Sequence, residues 1–408
     1  MLVIRGMAIR NVYRGFFKAV TIVCICMLAA CSGKDGKSIA NAGDDDEVPR
    51  QRVAVPASFT KAYAQKLTHQ LDSVFTYLHK RRGFNGTVLV TKYDSVLYRG
   101  AFGYTDFEDK DTLTTNTAFQ LASVSKQFTA MAIMMLQEEG ELQYDDSVQQ
   151  YLPGFPYKGI TIRQLLNHRS GLANYTYFSD KLWPDRNKPI TNKDVVDLMR
   201  VHQPAPYYPP NAHFDYSNTG YMLLAAIVEK VSGEDFATYL QEQIFEPLGM
   251  EHTFTYSTTM ATITGQIADG HTGGRRKRTA DYLDTVLGDK GVYSTVEDLY
   301  KWDQALYSER LVSFETLKEA FSGSRPDKKE KDEDYGFGWR IKQLDNGDTV
   351  VYHGGLWHGY ATYLLRNPKD HSALIVLSNV PNGSQSHLKD VKKLLYPEAP
   401  KQLAHHRK

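Results

Sequence analysis

The chain has 408 residues, 42% hydrophobic and 23% charged, a globular balance with material for one large core or two interleaved domains. Lys and Arg number 48 against 47 Asp and Glu, so the formal charge is +1 and no field exists that would recruit nucleic acid. The longest basic cluster, Arg275-Arg276-Lys277-Arg278, reads as a solvated loop.

At the N-terminus, Arg5, Arg10, Arg14 and Lys18 precede the apolar run "AVTIVCICMLAA", Ala19 to Ala30. The run is short of the ~20 residues a membrane helix needs and suits a signal-peptide core. It ends in "LAAC", Leu28 to Cys31, which resembles the bacterial lipobox, whose cysteine is lipidated and becomes the first mature residue. Residues 1–30 are therefore expected to be a lipoprotein signal peptide, and the product an exported bacterial cell-envelope lipoprotein anchored to the membrane by Cys31. The three cysteines, Cys24, Cys26 and Cys31, all lie here, so no disulfide framework or thiol chemistry remains for the body. Losing residues 1–30 removes four cations and no acid, which changes the formal charge from +1 to −3. Residues 31–58 include "GDDDE" and few large apolar groups. They read as a flexible tether with a reach on the order of 30 Å, leaving a body over 59–398.

In the body, Leu67, Leu71, Val74, Phe75 and Leu78 have helical spacing within Tyr63 to Lys80. "GTVLVTKYDSVLYRGAFGYTD" reads as a β-hairpin turning at "KYDS". "LASVSKQFTAMAIMMLQEEGEL", Leu121 to Leu142, contains an apolar run from Phe128 to Leu136 without a polar face, closed by Gly140. Such a helix is buried. The pattern then turns helical to about Met250, giving an inserted helical block over about 127–285. Strands return in "YGFGWRIKQL", "DTVVYHGG", "GYATYLLRN" and "SALIVLSN", and "SQSHLKDVKKLLY" reads as a last helix. The expected fold is mixed α/β (α+β): an antiparallel sheet built from both ends of the chain, flanked by helices, with a helical subdomain inserted.

Ser123 and Lys126 stand at i, i+3 at the mouth of the buried helix, where both side chains share one face. Serine needs a base, and a lysine shielded from water can lose its charge well below its usual value of ~10.4. S-x-x-K alone is a weak signal, since Ser58/Lys61 and Ser386/Lys389 share it. Ser58 is better explained as a helix N-cap and Ser386 as the exposed start of the last helix. A second element is "FDYSNTGYMLLAAIVEKVSG": of 26 tyrosines, Tyr216 is the one followed two residues later by Asn. A phenol and an amide there could complete a proton relay and hold a carbonyl, or Asn218 could simply cap the next helix.

"SVSK", "YSN" and "HGG", in that order, resemble the serine β-lactamase and penicillin-binding-protein group. The likeness is to its class C branch, with D-alanyl-D-alanine carboxypeptidases, D-aminopeptidases and related esterases. "ITIRQLLNHRSGL", "PLGMEHT" and "GVYSTVEDLYKW" resemble that branch too, and the likeness runs from roughly Phe75 to Val380. The resemblance implies a β-lactamase/transpeptidase-like fold and a serine hydrolase that forms an acyl-enzyme with a peptide, ester or lactam carbonyl. It makes Ser123 the nucleophile, Lys126 its proton partner and Tyr216 the second acid/base, with Asn218 on the acyl-side amide. The backbone N–H groups of Ser123 and Leu356 would form the oxyanion hole. For the third motif His271-Thr272-Gly273 competes with His353-Gly354-Gly355. The latter lies between strand runs and is chosen, so His353 and Gly355 join the expected substrate-binding set. Where many members have K-T-G, this chain offers an imidazole and no hydroxyl, which implies weak action on anionic β-lactams.

H-E-x-x-H and G-x-S-x-G are both missing from the sequence, which weighs against zinc and α/β-hydrolase chemistry. No cofactor or metal is expected. The expected partners are a small-molecule or peptide substrate, such as a cell-wall peptide, and a membrane through the lipid anchor. The competing reading is a non-catalytic domain that captures cell-wall peptides or penicillins in the same cleft.

Overall fold

Runs of β-branched and apolar residues from the two ends of the chain meet in one sheet. The computed structural model describes residues 48–256, 265–324 and 333–397, all within the unit Val48–Lys408. The expected signal peptide, Cys31 and the first part of the tether lie outside the described residues. β1 (Gly86–Lys92) and β2 (Ser95–Phe102) form the hairpin, with Tyr93 and Asp94 at φ 50° and 58° in its tip. β3 (Phe119–Gln120), β4 (Phe254–Thr255) and β5 (Val292–Ser294) make a small separate sheet in the order β3-β5-β4. From the C-terminal part come β6 (Asp334–Tyr335), β7 (Arg340–Gln343), β8 (Thr349–Trp357), β9 (Tyr360–Asn367) and β10 (Ser372–Ser378). The large sheet is ordered β2-β1-β10-β9-β8-β7-β6 and is antiparallel throughout. "YGFGWRIKQL" is thus two strands, not one. Gly336 packs where a Cβ would stand 2.0 Å from the Ala320 carbonyl, and Gly338 takes φ 81°.

Side chains alternate across a strand, and here they supply two cores. Val88 and Val90 of β1 and Leu374 and Val376 of β10 face α1 (Lys61–Arg82), with its Leu67, Leu71, Phe75 and Leu78. Leu89, Ile375 and Leu377 face the main core. α1 extends two residues past the predicted helix at each end. Thr60, not Ser58, is its N-cap, accepting from the Tyr63 N–H at 3.1 Å, and Gly83 ends it at φ 69°.

Between β3 and β5 lies the helical block: α2 (Lys126–Glu138), α3 (Val148–Tyr151), α4 (Ile162–Leu166), α5 (Tyr175–Leu182), α6 (Asn192–His202), α7 (Asn218–Ser232) and α8 (Phe236–Leu240). α2 and α7 are buried along most of their length, as their unbroken apolar runs require. α9 (Val296–Ala305) and α10 (Phe314–Ala320) follow, and α11 (Leu388–Leu395) closes the fold. Asp303 of α9 pairs with Arg366 of β9 at 2.8 Å, both fully buried.

The body begins before Phe59. The Gln51 N–H donates to the Tyr307 carbonyl at 2.7 Å, the Glu309 N–H to the Pro49 carbonyl at 3.0 Å, and Arg50 Nη2 to Gln304 Oε1 at 2.7 Å. Main-chain pairing of this kind leaves no trace in composition, which is why these residues read as tether. Among the described residues no helix is long and apolar enough to cross a membrane.

Candidate active site

Ser123 sits on one 3-10 turn, Ala122–Ser125, that leads into α2. Ala122 is left-handed at φ 49°, a conformation that costs a non-glycine residue on the order of 1–3 kcal/mol. The turn leaves Ser123 partly exposed and puts Lys126, the first residue of α2, wholly out of solvent.

Lys126 Nζ has three neighbours: Ser123 Oγ at 3.2 Å, Asn218 Oδ1 at 2.9 Å and the Asp289 carbonyl at 2.8 Å. The last two are oxygens that can only accept. A neutral amine satisfies both with its two hydrogens and turns its lone pair toward Ser123. Burial lowers Lys126 to about 7; Asp289 opposes the shift and Arg340 adds to it.

Asn218 opens α7, but the cap is Ser217, whose hydroxyl accepts from the Gly220 N–H at 3.3 Å. The amide of Asn218 is thereby released to Lys126, so the alternative of Asn218 as N-cap is set aside. Tyr216, just before the helix, lays its ring 5.0 Å from Lys126 Nζ. Its hydroxyl approaches Ser123 without reaching full hydrogen-bond geometry, and it has no other partner among the described residues. Burial raises the phenol well above 10, and Ser123 opposes that rise.

β8 closes the other side. β7 begins with Arg340 opposite Tyr352, so the β8 edge from His353 to Trp357 has β9 on one side and, among the described residues, no strand on the other. Gly355 lies against the turn that carries Ser123: a Cβ there would stand 2.3 Å from the Leu121 carbonyl and 2.3 Å from Thr362 Oγ1. Leu356 beside it is 69% exposed, which leaves the strand's face open where a substrate would lie.

His353 corrects an expectation. It is 1% exposed. Its Nδ1–H donates to the Gly354 carbonyl at 2.8 Å, which makes Nε2 the acceptor of the Tyr335 hydroxyl at 2.9 Å. Burial, then the Lys126 charge, lowers it to about 3, so it is neutral at ordinary pH. Both nitrogens are spent inside the protein. His353 supports Tyr335 and the wall behind Tyr216, and its imidazole has nothing left for a substrate carboxylate. His271, the rejected candidate, stands between Phe107 and Asp106.

Three neighbours were not foreseen. His168 is buried with Nδ1 accepting from the Ser217 N–H at 3.1 Å, and its ring lies 4.3 Å from that of Tyr216. Desolvation holds it well below 6.5. Arg340 places its guanidinium 5.5 Å from the Tyr216 ring. Asp289 supplies the carbonyl under Lys126. "NHRSG" was visible as a phrase, but nothing in the alternation of "WRIKQ" marked Arg340. Among the described residues no His, Cys, Asp or Glu cluster could hold a metal.

Residues 71–395 match the family model described as Beta-lactamase. Penicillin-binding protein 4* of Bacillus subtilis (strain 168) is 39% identical over 77% of this chain and 72% of its own length. A D-aminopeptidase of Brucella anthropi is 26% identical over 74% of this chain but 57% of its own length. In structure, an octameric penicillin-binding protein homologue from Pyrococcus abyssi superimposes with TM-score 0.71 and 28% identity, over 82% of this chain and 78% of its own. A family match across most of the chain, joined to a relative at this identity, establishes that the chain belongs to the beta-lactamase family of serine hydrolases.

Proposed function

We propose that this serine hydrolase works through an acyl-enzyme on Ser123 and takes D-aminoacyl amides, short peptides or esters in preference to anionic β-lactams. The observation that carries the reading is the buried amine of Lys126, 3.2 Å from Ser123 Oγ, with its other contacts both pure acceptors. As Oγ attacks the carbonyl carbon, Lys126 takes the hydroxyl proton. The carbonyl oxygen becomes an oxyanion facing the backbone N–H groups of Ser123 and Leu356, donors of a kind worth about 2.7–4 kcal/mol each. Tyr216 relays the proton to the leaving nitrogen or oxygen as its bond to carbon breaks, and an ester on Ser123 remains. Water then gives a proton to the same pair and attacks the ester, and Oγ departs with a proton to restore the site. The amide of Asn218 is assigned to the acyl-side carbonyl of the substrate.

Two points support the substrate class. A neutral, internally bonded His353 supplies no cation for a carboxylate, and one relative is named a D-aminopeptidase. A module that only captures peptides would have no use for a lysine shifted toward neutrality. A fluorophosphonate probe should modify Ser123, read by intact mass and peptide mapping. Labelling at Ser58 or Ser386, or no labelling by any acylating probe, would overturn the assignment. We also propose export and lipidation at Cys31, supported by "LAAC" following a short apolar run with basic flanks.

A further inference from the structure

Beside Lys126 lies a set of buried polar groups that the acylation chemistry does not use. Asp289, whose carbonyl holds Lys126 Nζ, has its carboxylate accept from the Tyr175 hydroxyl at 3.1 and 3.3 Å, and it stands 3.5 Å from Lys290 Nζ. Lys290 donates to the Tyr175 oxygen at 2.7 Å and to the Val286 carbonyl at 3.0 Å. Asp289 and Lys290 are each 2% exposed and Tyr175 not at all. The Lys290 ammonium also sits 5.0 Å from the centroid of Trp357, whose indole N–H donates to Asp284 at 2.7 Å. A buried ion pair is a weak source of net stability, because desolvating both partners offsets their attraction. Its placement here, one peptide group from the proposed base, asks for another reason.

The groups facing Lys126 come from five elements. Asp289 and Lys290 precede β5, Arg340 is on β7, His353 on β8 and His168 after α4, while the rings of Tyr216 and Tyr221 lie 5.0 and 5.5 Å away at α7. Burial keeps both imidazoles and both phenols neutral. The charges left are Asp289, which attracts a proton to Lys126, and Arg340 and Lys290, which repel one. A unit charge within ~10 Å in surroundings of effective dielectric ~20 moves an amine by about one pKa unit.

We propose that Lys290, held beside Asp289 by the bridging Tyr175 hydroxyl, is a positioning residue that offsets the charge of the Asp289 carboxylate, and thereby keeps the amine of Lys126 uncharged and able to accept the Ser123 proton. The proposal rests on the reading of Lys126 as that acceptor. The test is the pH dependence of kcat/KM for a neutral ester between pH 5 and 9, whose acid limb reports the free enzyme's base. In Lys290→Met the uncompensated carboxylate stabilises protonated Lys126, so the limb moves to higher pH by about one unit. Activity at pH 7 then falls roughly fivefold, approaching roughly tenfold toward pH 5, while the alkaline plateau stays within a few-fold. Asp289→Asn removes the attraction and moves the limb the opposite way. Asp289→Asn with Lys290→Met, which adds no charge to the interior, returns the limb to within ~0.3 unit of the parent. Should Lys290→Met fail to fold, the other two variants decide the matter alone. Limbs that coincide, or that all move in one direction, overturn the proposal. A Lys126→Ala variant that still acylates Ser123 at the parent rate would overturn the underlying reading, and that outcome is distinct from an unmoved limb in an enzyme that needs Lys126.

Discussion

Tyr216 and Lys126 are displaced by burial in opposite senses of charge: the amine becomes easier to deprotonate and the phenol harder. A phenol pushed upward is no resting base at neutral pH. In the proposed mechanism Tyr216 therefore fits a relay, taking a proton only as it passes one on, with Lys126 as the group that would first relieve Ser123. Tyr216→Phe keeps the ring against Lys126 and His168 and removes only a hydroxyl that has no other partner among the described residues. The expected outcome is a folded protein with kcat lowered ~10²–10⁴-fold, the range for a positioned acid or base. Circular dichroism and steady-state kinetics check it, and an unchanged kcat would mean that Lys126 completes the transfer by itself.

At the scale of elements, the site depends on how closely β8 approaches the turn before α2. Two adjacent glycines separate contact from flexibility. At Gly355 an added methyl meets the Leu121 carbonyl and Thr362 Oγ1 at 2.3 Å and Ala122 Cβ at 3.0 Å; at Gly354 nothing comes nearer than 3.8 Å. Gly355→Ala must push strand and turn apart, and a misplacement near 1 Å costs ~10²-fold in rate. It should lower kcat/KM at least a hundredfold and destabilise by about 1–3 kcal/mol. Gly354→Ala should stay within a few-fold of the parent in rate and close to it in Tm. Equal effects at both positions would show that backbone freedom, rather than the approach of β8, is what glycine provides here.

For the whole molecule, the sheet joins sequence-distant ends: Gly86 lies opposite Ser378 and Thr91 opposite Ala373. The helical block projects from between them, so Ser123 on the turn before α2, Lys126 at the start of α2, Tyr216 and Asn218 at α7, and Gly355 and Leu356 on β8 converge where block and sheet meet. The proposed anchor belongs to this scale, since it decides where the enzyme works rather than what it cleaves. A fatty-acid analogue fed to expressing cells should tag the wild-type protein and shift it to the membrane fraction. Cys31→Ala should abolish the tag. An untagged wild-type protein cut elsewhere would remove the lipidation proposal.

Much of this was determined by sequence alone, because periodicity and local chemistry are local properties. The unbroken apolar run of α2 demanded burial, the β-branched runs demanded strands, and S-x-x-K with Y-x-N, through the family resemblance they carry, picked out Ser123, Lys126, Tyr216 and Asn218, which the fold brings together. Tertiary structure decided what depends on solvent exclusion and on partners far along the chain. Whether a histidine at position 353 meets substrate or props a tyrosine turns on Tyr335 and on a strand fold that seals it from water. The cap of α7 fell to Ser217 because Asn218 had a distant claim on its amide from Lys126. Asp289, Lys290, Arg340 and His168 became neighbours of Lys126 only when three separate segments packed around it. Their effect on its proton is electrostatic, and it grows as water is excluded, a quantity no stretch of sequence contains.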